Sequence, residues 1–150
     1  MGTPGPDRLL TKAALHTLLD RARRERWQVL VLVGVESLEP AAELKRWRQS
    51  LADHPGARSE CFALVHALDV ESVRRVSEVP TLQVLALPGV GLGPEGAQAI
   101  GWDRLTSLTT LNLWRNDLGP EGAQAIGWDR LTNLTHLDLS ANDLGPKGAQ

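Results

Sequence analysis

A single cysteine, Cys61, stands among the 150 residues. No intrachain disulfide can therefore form, and the usage fits a reducing, cytoplasmic compartment. No apolar run reaches the roughly 18 residues a membrane helix needs. The longest, VLVLVGV at 29–35, is too short to span, and it lies too far into the chain, behind the basic RARRER (21–26), to resemble a signal peptide. Pro6 occupies the position where a myristoylation signal wants Ser or Thr. The net charge is only −2, which gives no global field for nucleic acid or anionic lipid. The basic run itself reads as an arginine-rich helix end that complements the helix dipole.

Chemistry-bearing clusters are equally scarce. His16, His54, His66 and His136 show no metal-ligand spacing, and one cysteine cannot complete a structural zinc site. Neither metal nor cofactor is expected. Cys61 and His66 stand five positions apart on an expected strand, so they point to opposite faces and do not form a nucleophile–base pair. The glycine-rich GVGLGPEG (89–96) follows a strand but lacks the Lys-Ser/Thr of a phosphate loop. Its glycines read as turn residues, and no enzymatic activity is expected.

What the chain does have is repetition. LGPEGAQAIGWDRLT occurs at 92–106 and again, letter for letter, at 118–132, and LGPKGAQ begins a third copy at Leu144. Leu85, Leu111 and Leu137 recur in steps of 26, as do Leu87, Leu113 and Leu139, and Trp102 and Trp128. A period in this range signals stacked units. Within TLNLW the leucines alternate with Thr110, Asn112 and Trp114, the period of a strand with one buried face. Asn116 and Asn142 suit the tight turn that follows and offer an amide to neighbouring peptide groups. Pro120 then sits near a helix start, Ala123, Ala125 and Ile126 supply a short apolar face, Gly122 predicts close approach of that helix to the sheet, and Gly127 predicts its end. The repeated tryptophans read as packing residues.

LTTLNLWRNDL (108–118) and LTHLDLSANDL (134–144) follow the pattern LxxLxLxxNxL, which resembles the leucine-rich repeat family. The NxLGPxGA segment resembles its ribonuclease-inhibitor-like subclass, although units there are usually a little longer and lack the WDRL link. The resemblance covers about 82–150. It implies an α/β solenoid, a parallel β-sheet with outer helices, whose outward strand positions form a concave binding face. Those positions hold Val84, Ala86 and Pro88, then Thr110, Asn112 and Trp114, then His136, Asp138 and Ser140, with Arg115 at a strand end. They differ between copies while the linking segments hardly change. Trp114 beside Arg115 is the expected anchor, because these residue types dominate binding hot spots.

Ahead of the repeats, elements alternate without the period: helix 7–25, with Leu9, Leu10, Ala13, Leu15, Leu18, Leu19 and Ala22 on one stripe, strand 27–35, helix 39–54, strand 60–68, helix 70–79 and strand 81–87. Residues 1–80 therefore read as a helical N-terminal cap with divergent coils, and 81–150 as the regular repeats. A separate small effector or enzymatic domain, sensed or gated by the repeats, is the competing view, but no Ser/Gly/Pro linker divides the halves. The third copy stops after seven residues, which predicts a fragment truncated at its C-terminus, with Leu137 and Leu139 on an open edge suited to self-association. The functional expectation is a protein-interaction scaffold or regulator with a protein partner. GTPase regulation enters only by analogy of fold.

Overall fold

A computed structural model of the chain describes residues 9–143. Asp7 and Arg8 of the expected first helix, Leu144, and the helix expected after Gly145 lie outside the described residues. Leu9–Leu10 form a short strand, β1, where the stripe predicted helix. The helix begins only at Lys12 because Thr11 is extended and its hydroxyl accepts from the Ala14 N–H, an N-cap. α1 (Lys12–Glu25) buries Leu15, Leu19 and Ala22, while Ala13 is exposed.

The remaining elements follow in the expected order. β2 (Val29–Gly34) is buried along its whole length, and α2 (Pro40–Ser50) starts on its proline. A 3-10 turn at Ser59–Cys61 leads into β3 (Phe62–Val65), and α3 (Val70–Val76) follows, capped by the Asp69 carboxylate on the Ser72 N–H. β4 (Val84–Ala86), α4 (Gly93–Ala99), β5 (Thr110–Asn112), α5 (Gly119–Ala125) and β6 (His136–Asp138) follow within the described residues. All six strands form one parallel sheet with a continuous apolar core.

The strand order is β1-β3-β2-β4-β5-β6. From β4 onward it is sequential, as repeat stacking requires: Leu85 aligns with Leu111 and Leu111 with Leu137. Earlier it is not. The chain steps from β2 to β3 in one direction, then returns across β2 to reach β4. Parallel crossovers are right-handed, so a reversal of direction puts the connecting helix on the other face. The contacts agree: α1 packs on α3, α3 on α4 and α4 on α5, whereas α2 packs on β2 and β3 from the opposite side. Divergent coils stacked in sequence would have placed α2 with the other helices. The sheet instead changes its winding between β2 and β4.

Two local expectations also change. A Cβ on Gly122 would meet the Leu118 side chain at 2.9 Å and the Pro94 Cα at 3.4 Å, so this glycine lets α5 lie against α4 rather than against the sheet. α5 ends at Ile126, which is extended, and Gly127 leaves room for Trp102 of the preceding unit.

Candidate functional site

The Asn positions hold each repeat to the next. Asn116, wholly buried, donates to the Leu87 carbonyl at 2.7 Å and accepts from the Val90 and Leu92 N–H groups at 3.0 and 3.3 Å. Asn142 repeats the arrangement on Leu113, Asn116 and Leu118. The indole N–H of Trp102 bonds the Ala97 carbonyl, and that of Trp128 the Ala123 carbonyl, so both tryptophans fasten the link to its own helix. Leu85, Leu87, Leu111 and Leu113 are fully buried, Leu139 is packed against the core, and Leu137 on β6 is 48% exposed.

With this framework fixed, the outward strand positions divide. Val84 and Ala86 are 3% and 0% exposed, and Pro88 is buried too. They are core residues, not binding surface, because α2 lies on that side of the sheet. Beyond its edge the face opens. Thr110, Asn112, His136 and Asp138 form the floor of a groove of about 620 Å³, with Thr135 beside them, and Trp47, Ser50 and Leu51 at the end of α2 form its wall. Thr110 stands beside His136 and Asn112 beside Asp138. The Thr135 hydroxyl lies 2.9 Å from His136 Nδ1, and Glu43 anchors the Trp47 indole N–H at 2.9 Å. The floor is polar and the wall is partly apolar.

Trp114, Arg115 and Ser140 lie past the strand ends, away from the groove floor. Arg115 sits 5.6 Å from the centre of the Trp114 ring, and Ser140 N–H bonds Asp138 Oδ1 at 2.9 Å. Arg115 also lines a second, smaller cavity with Glu36, Gly89, Gly91, Asp117 and Ala141. Gly89, Gly91 and Gly93 adopt positive φ, as turn residues do, and the turns of later copies keep that backbone with Arg115, Asp117, Ala141 and Asp143.

Sequence reasoning missed the α2 wall. Trp47 and Leu51 stand one helical turn apart, an amphipathic signal, but nothing in the sequence pattern says which face of the sheet they cover. Reactive groups are not gathered at either cavity. Cys61 is fully buried, its thiol pushed up by that burial, while His66 is exposed. Among the described residues no three metal-ligating side chains cluster, and no helix is long and apolar enough to cross a membrane. The basic run is engaged in ion pairs: Arg21 with Glu25 and Glu60, and Arg23 and Arg24 with Asp20.

No curated protein and no solved structure matches the chain. A family model described as Leucine Rich repeat matches residues 104–127 and 130–150. This match, with the shared register and the asparagine ladder, supports a leucine-rich repeat protein, and the parallel sheet with its helices fits an α/β repeat fold.

Proposed function

We propose that the chain is a non-enzymatic, cytoplasmic protein-interaction module that takes an extended segment of a protein partner in the groove between α2 and the β5–β6 face. One observation carries this reading: the positions that vary between copies, Thr110, Asn112, His136 and Asp138, converge with Trp47 and Leu51 on one groove. A rigid sheet holds these groups in place, so little ordering entropy is lost on binding. Trp47 is the apolar anchor, and Asp138 reads a cation or amide donor. Trp114 and Arg115 extend the surface at the strand ends. The repeats are assigned to the ribonuclease-inhibitor-like solenoid subclass on their strand–turn–helix units, with residues 1–80 closing one end of the stack. The exposed Leu137 on β6 is the face for self-association.

The test begins with peptides selected from a random display library on the full chain. Their affinity for the parent is then compared with that for Asn112→Lys/Asp138→Lys, two half-buried sites outside the apolar core. Loss of binding, with amide protection over 47–51, 110–112 and 136–138, is expected. Selected peptides that bind the double variant unchanged would move the interaction surface elsewhere; retained binding after Trp114→Ala alone would limit it to the groove.

A further inference from the structure

The second cavity lies where the winding of the sheet reverses. α2 leaves β2 toward one face and α4 leaves β4 toward the other, so the loops after these strands diverge at their carboxyl ends. In open parallel sheets a divergence of this kind opens a crevice suited to small ligands. Here its walls come from four successive strand ends: Glu36 after β2, Gly89 and Gly91 after β4, Arg115 and Asp117 after β5, and Ala141 after β6.

The crevice is closely built at its base. A Cβ on Gly34 would fall 1.8 Å from the Gly89 carbonyl oxygen, and one on Gly89 would fall 2.5 Å from the Ser37 Cβ. Gly34 N–H bonds the Pro88 carbonyl at 2.9 Å, locking β2 to the turn after β4. Next to Glu36, and against Gly89, the Ser37 hydroxyl is buried with no hydrogen-bond partner among the described residues. A buried polar group left in this way calls for a polar partner.

The charged groups at the rim, Glu36, Arg115 and Asp117, are exposed to solvent. Among the described residues, the Glu36 and Asp117 carboxylates have no hydrogen-bond or ion-pair partner, and the Arg115 guanidinium meets only the Trp114 ring. Two carboxylates and one guanidinium around about 360 Å³ complement a small molecule with two cationic groups and one carboxylate. The volume is at the lower end of ligand cavities, which run from roughly 300 to 1,000 Å³. We propose that this cavity binds a free dibasic amino acid of the lysine, ornithine or arginine type. Its two cationic groups pair with Glu36 and Asp117 and its carboxylate with Arg115.

Calorimetric titration of the full chain with L-lysine, L-ornithine and L-arginine tests this directly. Saturable binding is expected for at least one of them, weakened about tenfold or more by Glu36→Gln and by Asp117→Asn. Arg115→Gln should weaken lysine by a similar factor and leave cadaverine, which lacks the carboxylate, unchanged. No saturable heat with any dibasic amino acid would overturn the proposal, as would equal binding of L-glutamate or norleucine. Lysine capped at both its amino and carboxyl ends is expected not to bind. If it binds as well as free lysine, the cavity reads a side chain of a partner protein and the free amino acid assignment fails.

Discussion

The two halves of the molecule share one sheet and one core, yet they are assembled by different means. From β4 onward each strand, turn and helix repeats the last in steps of 26 residues, and each asparagine bonds backbone groups of the unit before it. The first half contains no asparagine, and there the Thr81 hydroxyl donates to the Trp27 carbonyl at 2.7 Å. β2 is flanked by β3 and β4, and its position depends on Gly34 and Gly89 allowing two loops to touch. Stacking order is thus enforced by repeated asparagine bonds in one half, and in the other by strand pairing, the Thr81 hydroxyl and the close approach of Gly34 to Gly89 at the winding change.

The largest expected effect strikes that approach. Gly34→Ala places a methyl group on the Gly89 carbonyl and should cost about 3 kcal/mol, measured by urea unfolding. Gly56→Ala makes the milder comparison, since its Cβ meets only the Gln28 side chain, at 2.6 Å or more. A similar loss for both would deny the winding change its special constraint.

Next in size, Asn116→Ala leaves the Leu87 carbonyl and the Val90 and Leu92 N–H groups buried without their partner. A loss of about 2–3 kcal/mol is expected, again by urea unfolding. If stability hardly changes, the amide ladder is not what orders the repeats.

Ser37→Ala should act in the opposite direction. It removes a buried hydroxyl without a partner and should raise stability by about 1 kcal/mol in the unliganded protein. In the repeat turns, Ala141→Gly relieves a residue held at φ 59° and should gain about 0.5–1 kcal/mol. A thermal-melting comparison of these two variants with the parent checks both signs.

The smallest effect separates the halves by pH. Lys12, then the Ser72 N–H, hold the Asp69 carboxyl well below the usual carboxylate range. Hydrogen bonds from the Trp27 indole and Arg21 push Glu25 down to about 2. Both folded values lie below the unfolded ones, near 4. Their stabilisation is therefore present at neutral pH and disappears as the pH falls from about 5 toward 2. The Glu25→Gln/Asp69→Asn variant should show a shallower acid dependence of unfolding over that window than the parent.

The repeat half was legible because its instructions are local and written more than once. The leucine period, the Asn positions and Pro120 each state a strand, a turn and a helix start, and the copies confirm the register. The first half was legible element by element: the buried run 29–35 and Pro40 mark β2 and α2 correctly. Leu9 and Leu10 were misassigned because an apolar stripe does not show where Thr11 caps the helix. The order of strands was illegible, since crossover direction depends on tertiary packing rather than on periodicity. Val84 and Ala86 were misplaced for the same reason: the alternation assigns them to a face, but only the position of α2 shows that the face is covered there. The cavity carboxylate Glu36 and the wall residue Trp47 are far in sequence from the repeats they meet.

The central claim is that α2 lies on the sheet face opposite the other helices and walls the groove. A spin label at Ser50→Cys, with Cys61 fully buried, reports that position through paramagnetic broadening of backbone amides. The account predicts strong broadening at 110–112 and 136–138 and little at 97–99 and 123–125. Broadening strongest on α4 and α5 would place α2 among the outer helices and contradict both the winding change and the groove.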